Sequence, residues 1–182
     1  MKFVNTPIEG VIIIEPNVFG DERGYFLESY NKIKFEEVVG KTSFIQDNES
    51  KSSKGVLRGL HFQNPPYEQA KLVRCVEGKV LDVAVDIRKN SPTYGEHVAV
   101  VLSGDNKRQL FIPRGFAHAF LVLSNFAIFS YKVDNIYAPH YDSGIIWNDL
   151  ELAIDWGIKE PELIISEKDK NLSNFSDLIS PF

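Results

Sequence analysis

The chain is poor in cysteine and in positive charge. Its single cysteine, Cys75, excludes an intrachain disulfide and any zinc site built from several thiolates, so we expect a small buried hydrophobe there. Twenty lysine and arginine residues stand against 25 aspartate and glutamate residues, which gives a net charge of -5. A protein whose main partner is nucleic acid needs an excess of basic residues, so the net charge argues against that class, although local basic groups can still bind a small phosphate.

Long apolar runs are absent as well. The first seven residues lack the apolar core of a signal peptide, and no later run approaches the length that spans a membrane. These absences predict a cytoplasmic protein with no membrane partner. A hydrophobic content of 43% and an aromatic content of 12% exclude a disordered or fibrous class, and the length fits one domain covering residues 1–182.

Short strands separated by turns account for most of the chain. Antiparallel strands at such spacing indicate a sandwich or barrel, and they are predicted at 10–15, 24–30, 57–63, 70–76, 79–87, 95–102, 108–112, 117–123 and 126–133. Residues 17–23 are predicted to be a loop. In 81–88 the alternation is clearest, and there the apolar side chains are predicted to face the core and Asp82 and Asp86 the opposite side.

Helical spacing is confined to two places. One helix is predicted at 31–39, closed by Gly40, because Phe35 and Val39 recur at helical intervals. The tail at 163–182 alternates charged and sparse apolar residues, which predicts a short helix or loop packed across the sheet.

The segment 55–63, Gly-Val-Leu-Arg-Gly-Leu-His-Phe-Gln, places Arg58 and His61 among strand-forming apolar residues. Strict alternation puts the two on opposite faces, so they reach one site only if the strand bulges or twists, which Gly59 permits. The alternative is a hydrogen-bonded structural histidine, the commoner case in a half-buried strand. Lys71, His118 and Tyr131 also lie in strand-like runs, and together with His61 they predict a polar barrel interior.

Two chemistries are open for such an interior. The run 113–118, which ends in His118, resembles the second half of a cupin metal motif, but 61–63 is His-Phe-Gln where the first half needs His-x-His. The broken ligand set disfavours a catalytic metal. The alternative is acid–base work by an imidazole base, a tyrosine that returns the proton and a lysine beside an enolate oxygen. A proton removed from one face and replaced on the other is an epimerisation.

Eight segments in order along the chain carry a resemblance to a known family. They lie at 19–28, 46–48, 53–63, 69–75, 78–88, 112–118, 131–132 and 144–149. With these motifs the chain resembles the dTDP-4-dehydrorhamnose 3,5-epimerase family over nearly its whole length. The resemblance implies an all-β, cupin-type jelly-roll with a few short helices, a homodimer that exchanges N-terminal strands, and no metal or organic cofactor.

The activity that the resemblance implies is the conversion of dTDP-4-dehydro-6-deoxy-alpha-D-glucose to dTDP-4-dehydro-beta-L-rhamnose, in dTDP-L-rhamnose biosynthesis. The keto group acidifies the hydrogens on both neighbouring carbons, so one base can invert both centres and no electrons are transferred. Two alternatives stay open. One is a single-centre epimerase or ketoisomerase of a related sugar, and the other is a jelly-roll that binds a sugar nucleotide without turning it over.

Carried over position by position, the resemblance implies four catalytic residues. His61 matches the base, Asp169 the carboxylate paired with it, Lys71 the enolate-stabilising lysine and Tyr131 the proton donor. Arginine and lysine suit a diphosphate, and the implied substrate-binding residues are Arg23, Arg58 and Lys168 for the diphosphate, Tyr137 for the thymine ring, and Lys71, Glu28, Gln46, Asp47, Asn48, His118 and Asp142.

Without the resemblance, three of these positions have simpler interpretations. Asp169 would only begin the tail helix, Tyr137 would be a surface loop residue, and Arg23 would pair with a neighbouring carboxylate in solvent. Two departures from the family pattern concern substrate preference. Ala119 stands where glycine is common and is expected to tighten the pocket near His118, and Asp142 stands where a glutamate often contacts the substrate.

Overall fold

A computed structural model describes the backbone of residues 1–182 and every side chain except that of Glu160. The elements are β1 (Lys2–Asn5), β2 (Ile12–Glu15), β3 (Val18–Asp21), β4 (Gly24–Leu27), α1 (Lys32–Val39), β5 (Gln46–Ser53), β6 (Leu57–Gln63), β7 (Lys71–Glu77), β8 (Lys79–Asp86), β9 (His97–Ser103), β10 (Gln109–Ile112), β11 (Phe116–Val122), β12 (Phe126–Val133), β13 (Asp142–Gly144) and α2 (Glu167–Lys170). Short 3₁₀ turns lie at Pro139–Tyr141, Glu160–Glu162 and Phe175–Asp177.

Two antiparallel sheets face each other. The larger has the strand order β1-β2-β10-β7-β12-β5, and the smaller has the order β13-β6-β11-β8-β9. Strands β3 and β4 form a separate hairpin. The prediction of an antiparallel sandwich or barrel is therefore confirmed. Among the described residues, no helix is long and apolar enough to cross a membrane.

Two apolar cores lie on the two faces of the smaller sheet. The inter-sheet core contains Val80 and Ala84 of β8, together with Phe120 and Phe129. The second core, on the outer face, contains Val83, Val85 and Ile87 of β8, covered by residues of the C-terminal segment such as Trp156 and Phe175. Asp82 therefore faces the interior between the sheets, and the prediction that its face lies opposite the core was wrong. The pattern misled because both faces of β8 are buried.

A bulge interrupts β6 at Gly59. Register partners are His118 with His61 and Phe120 with Arg58. The partners are two positions apart on β11 and three positions apart on β6, so β6 has one extra residue here. Gly59 has a φ of +113°, and a Cβ there would lie 2.4 Å from the carbonyl oxygen of His118. The extra residue brings Arg58 and His61 to the same face, which is the condition that the sequence analysis set for the two to share one site.

The predicted helix is present as α1. The Asn31 side chain accepts a hydrogen bond from the backbone N–H of Lys34 at its start, Gly40 ends it with a φ of +90°, and Phe35 is its buried residue. Elsewhere the elements differ from expectation. The predicted loop at 17–23 contains β3, and the sequence analysis missed β1, β5 and β13.

Candidate active site

A cavity of about 560 Å³ opens between the two sheets. It is lined from the smaller sheet by β6 and β11, from the larger sheet by β5, β7 and β12, and from the tail by α2. Seven of the predicted site residues line it, and they are Arg58, His61, Lys71, His118, Tyr131, Lys168 and Asp169.

His61 and Asp169 form an ion-pair-like contact at one wall. The Nε2 of His61 lies 2.7 Å from Oδ1 of Asp169, and the backbone N–H of Gly59 donates to Oδ2 at 3.3 Å. Ser166 caps α2 by accepting from the backbone N–H of Asp169, which fixes that residue. Burial alone would raise the pKa of Asp169, but the hydrogen bonds from His61 and Gly59 hold it below its usual value. An ionised Asp169 accepts the Nε2–H, so Nδ1 carries the lone pair of a neutral His61.

Tyr131 and Lys71 approach from the opposite sheet. Tyr131 pairs with Val73 and Lys71 with Val133. The two side chains therefore project from the same face of the neighbouring strands β12 and β7, which is the face towards the cavity. Burial raises the pKa of Tyr131, which keeps the phenol protonated and able to donate. Burial lowers the pKa of Lys71 to about 8, against the opposing effect of nearby carboxylates. The cavity thus sets an imidazole on one side and two proton donors on the other.

His118 lies beside His61, because the two are register partners on β11 and β6. Its side chain is buried, and its Nε2 lies 3.0 Å from Oδ2 of Asp82. Burial lowers the pKa of His118, outweighing the attraction to Asp82, so the ring is neutral near pH 7. Sequence analysis missed Asp82 as a site residue, and the only available signal was an acidic residue within an apolar strand.

Arg58 and Lys168 are cations of the cavity lining, whereas Tyr137 and Asp142 lie next to Lys168 and are not part of the lining. The Arg58 guanidinium donates to the Ser52 hydroxyl at 3.2 and 3.3 Å. The ammonium of Lys168 and the hydroxyl of Tyr137 both donate to Asp142, the latter at 3.2 Å. The hydrogen bond to Asp142 raises the pKa of Lys168, so the ammonium is retained. Two cations in the lining, one of them joined through Asp142 to an exposed aromatic ring, suit a phosphorylated ligand with a flat base.

Two predicted residues lie away from this cavity on the N-terminal side of the chain. Arg23 is exposed at the end of the β3–β4 hairpin and is paired with Asp21. Glu28 accepts from Lys34 at 2.8 Å and from the Asn31 amide at 3.1 Å. Neither residue is part of the lining.

The predicted residues of β5 divide between the two faces of the larger sheet. Asn48 pairs with Tyr131 and so shares its face, and Gln46 donates to Asn48 at 2.8 Å on that side. Asp47 is on the other face, where its carboxylate accepts from Lys132 at 2.8 Å. None of the three lines the cavity itself, whereas their neighbours Glu49 and Ser50, which sequence analysis missed, do.

The methyl group of Ala119 does not tighten the pocket. It packs in the core on the outer face of the smaller sheet, away from His118 and against the position of Gly59. The expectation of a narrower cavity at this departure was therefore wrong, because Ala119 alternates with His118 along β11. Among the described residues, no group of three or more histidine, cysteine, aspartate or glutamate side chains is arranged to hold a metal ion.

Comparisons with known proteins agree with one another. A family model described as dTDP-4-dehydrorhamnose 3,5-epimerase matches residues 5–177. The dTDP-4-dehydrorhamnose 3,5-epimerase of Shigella flexneri is 57% identical over 178 residues, which are 97% of this chain and 97% of that one.

Solved structures give the same result. The crystal structure of dTDP-4-dehydrorhamnose 3,5-epimerase from Elizabethkingia anophelis is 56% identical, with a TM-score of 0.93 and 97% of each chain covered. A Legionella pneumophila dTDP-6-deoxy-D-glucose-3,5-epimerase in complex with dTDP-4-keto-L-rhamnose is 48% identical, with a TM-score of 0.94, covering 97% of this chain and 94% of that chain. These likenesses confirm the cupin-type jelly-roll.

Proposed function

This chain belongs to the dTDP-4-dehydrorhamnose 3,5-epimerase family, and from that premise we infer its reaction and the roles of its residues. It is an isomerase that converts dTDP-4-dehydro-6-deoxy-alpha-D-glucose to dTDP-4-dehydro-beta-L-rhamnose, in dTDP-L-rhamnose biosynthesis. Support comes from the names of its relatives and from the neighbouring structure with dTDP-4-keto-L-rhamnose bound.

The observation that carries the catalytic assignment is the His61–Asp169 pair at 2.7 Å, which shares one cavity with Tyr131 of the opposite sheet. His61 removes a proton from a carbon beside the ketone, and Asp169 stabilises the imidazolium that forms. Tyr131 returns a proton from the other face. Lys71 donates to the oxygen of the enolate, where negative charge develops. The substrate keeps all its electrons, so this chemistry needs no redox cofactor.

For the nucleotide, Arg58 and Lys168 are proposed to bind the diphosphate, and Tyr137 to stack on the thymine ring. Asp142 holds both Lys168 and Tyr137 by hydrogen bonds, so it orients the two groups that meet the ligand. Gln46 and Asn48 share the face of Tyr131 and are proposed as further contacts, with Asp47 contributing through its backbone.

A homodimer that exchanges its N-terminal strands is proposed to complete each site. The β3–β4 hairpin pairs only with itself in this chain, and it leaves Phe19 and Phe26 exposed at 64% and 70%. Such aromatic exposure is typical of an interface. Exchange would carry Arg23 of the hairpin, and Glu28 directly after it, from one protomer to the cavity of its partner, where their predicted contacts with the substrate would be made.

The cytoplasm is the proposed compartment. Cys75 is buried and free, and the chain has no second cysteine with which to form a disulfide, as is usual for proteins of reducing compartments.

Incubation with dTDP-4-dehydro-6-deoxy-alpha-D-glucose in heavy water tests the function. Deuterium is followed by NMR and mass spectrometry at the two carbons that flank the ketone, and a reductase traps the product. We expect exchange at both carbons and the L-lyxo product. Exchange at one carbon would identify a single-centre epimerase instead. Absence of exchange, with dTDP still bound, would favour a binding module.

A further inference from the structure

Asp82 is a buried acidic residue for which the reaction as described above has no role. Its relative exposure is 0%, and along β8 it lies between the apolar residues Val80 and Ala84 of the inter-sheet core. Its Oδ2 lies 3.0 Å from Nε2 of His118. Its Oδ1 has no hydrogen-bond donor among the described protein groups.

Stability alone does not explain an aspartate at this position. The desolvation of a buried carboxylate with a single protein partner is more unfavourable than one hydrogen bond is favourable. An apolar side chain in the same space would leave the folded state more stable. Groups of this kind usually have a function in the neighbouring site. The neighbouring site here is the cavity, because His118 contributes to its lining.

The contact with Asp82 decides which nitrogen of His118 carries the proton. An ionised Asp82 is an acceptor only, so a neutral His118 must place its proton on Nε2 to make the bond. Nδ1 is then left with a lone pair. The alternative tautomer would put two acceptors face to face at 3.0 Å and would present Nδ1–H as a donor instead.

We propose that Asp82 is a positioning residue that holds His118 in the Nε2–H tautomer, so that Nδ1 accepts a hydrogen bond from a hydroxyl group of the sugar. This inference rests on the proposed epimerase function, since it concerns a sugar bound in the same cavity. It separates two roles: His118 orients the ring through a hydroxyl, and Lys71 is the group that meets the enolate oxygen.

The charged surroundings are consistent with this division. Lys71 of β7 lies across the cavity from His118, and His61 of β6 lies beside it. Positive charge on either residue disfavours protonation of the His118 ring and lowers its pKa. Asp82 in turn favours the charged form of Lys71. One cation, Lys71, and one neutral acceptor, His118, are therefore the stable combination in this part of the cavity.

The tautomer can be observed directly in the wild-type protein, whether or not it turns over substrate. The chain has four histidines, so ¹⁵N-histidine labelling gives few ring signals, and the pair lost in His118→Gln identifies this residue. At pH 7 we expect a protonated Nε2 and an unprotonated Nδ1. A protonated Nδ1, in either the other tautomer or an imidazolium, would overturn the proposal.

Asp82→Asn tests the consequence for catalysis. The amide can accept from or donate to Nε2, so the tautomers should mix and kcat should fall by about 10–100-fold, the usual cost when a histidine loses its orienting carboxylate at a metal site. dTDP affinity should stay within about twofold. Asp86→Asn is the matched control, because Asp86 is also 0% exposed on β8 but bonds to Arg88, Ser91 and Thr93 in a turn.

Three outcomes decide between positioning and simple packing. A lower kcat with altered His118 signals and normal dTDP affinity supports the proposal. Wild-type kcat in Asp82→Asn, or an equal loss of kcat in Asp86→Asn, contradicts it. If Asp82→Asn does not fold, the wild-type spectrum decides alone. Failure of the wild-type enzyme to epimerise the sugar would refute the proposed function, while the tautomer would still be settled by NMR.

Discussion

Arg58 and His61 are three residues apart on one strand, and both line the same cavity. In a regular strand an odd separation puts side chains on opposite faces. The bulge at Gly59 removes that constraint, and the backbone N–H of the same glycine donates to Asp169, the partner of His61. One residue without a side chain therefore aligns Arg58, His61 and Asp169, the proposed phosphate-binding group, base and orienting carboxylate.

Gly59→Ala is expected to disrupt both folding and catalysis. The new methyl group would lie 2.4 Å from the His118 carbonyl oxygen and 2.7 Å from the Ala119 methyl carbon, so β6 and β11 would have to separate. Gly40→Ala is the matched control, because Gly40 also has a positive φ, +90°, but open space around it. Both variants carry backbone strain of about 1–3 kcal/mol. Urea unfolding and turnover should show the additional loss only for Gly59→Ala, and equal losses would mean that strain, not contact, restricts this position.

Asp169→Asn is expected to slow catalysis while leaving the nucleotide site intact. The amide keeps the shape of the side chain but cannot stabilise an imidazolium, so kcat should drop by about 10²–10⁴-fold, as for a lost general base. Isothermal titration with dTDP should give nearly wild-type affinity. Asp177→Asn, an exposed change in the same tail, should leave both values unchanged. A large loss of dTDP affinity in Asp169→Asn would show that the carboxylate chiefly shapes α2.

The rate should depend on the charge of Lys71. Its pKa is lowered to about 8 by burial, so the ammonium that is proposed to stabilise the enolate is present below pH 8 and is lost above it. The profile of kcat/KM should therefore fall on the alkaline side with a midpoint near 8. Asp142 favours the charged form, so Asp142→Asn should move that midpoint to lower pH. Lys71→Arg stays charged over this range, so the alkaline fall of kcat/KM should disappear in that variant. An unchanged midpoint in Lys71→Arg would mean that the alkaline fall reports the titration of another group.

The turn after β8 should make a measurable, pH-dependent contribution to stability. Burial alone would raise the pKa of Asp86, but hydrogen bonds from Arg88, Ser91 and Thr93 lower it from 3.8 to about 2. The folded state therefore binds fewer protons than the unfolded state between these values. The contribution, about 2 kcal/mol, is fully present above pH 4 and is lost as the pH falls towards 2.

Asp86→Asn should accordingly lower the free energy of unfolding by about 2 kcal/mol at pH 7, and the difference from wild type should shrink in acid. Asp105→Asn, a change at an exposed aspartate, is the control, and its free energy of unfolding should stay within about 0.5 kcal/mol of the wild-type value. A destabilisation by Asp86→Asn that is the same at pH 7 and pH 3 would mean that the carboxyl is not held ionised.

The parts of this molecule that could be predicted from sequence are those with a local signal. The bulge follows from a glycine between two polar residues in a strand, and α1 follows from Asn31, Phe35 and Gly40. The His61–Asp169 contact joins residues 108 positions apart, and no local pattern reports such a distance; only the family resemblance placed Asp169 beside the base.

Two strands show where local signals fail. In β8 both faces are buried, so alternation could not tell which face lines the cavity, and Asp82 was assigned to the wrong side. β5 is Gln-Asp-Asn-Glu-Ser-Lys-Ser-Ser, which has no apolar alternation, and yet it pairs with β12 over eight positions. Backbone hydrogen bonds to β12 join it to the sheet without an apolar face, together with polar side-chain contacts such as that between Asp47 and Lys132.

Strand exchange predicts that mixed dimers regain activity. If Arg23 of one protomer completes the cavity of its partner, then Arg23→Ala and His61→Ala homodimers are both impaired, but a heterodimer of the two has one intact site. That site combines His61 of the Arg23→Ala protomer with Arg23 of the His61→Ala protomer. One of the two sites in each heterodimer is intact, so the purified heterodimer should have about half of wild-type activity.

The experiment co-expresses the two variants with different tags, purifies the doubly tagged dimer and assays it at low substrate concentration, where loss of a diphosphate contact is most visible. The doubly tagged wild type is the reference, and mixed dimers of His61→Ala with Tyr131→Phe are the control. His61 and Tyr131 line one cavity of one chain, so that pair has no intact site in any arrangement. Activity in the first heterodimer but not in the second places Arg23 in the partner's site. Equal inactivity in both would mean that Arg23 serves its own chain or none.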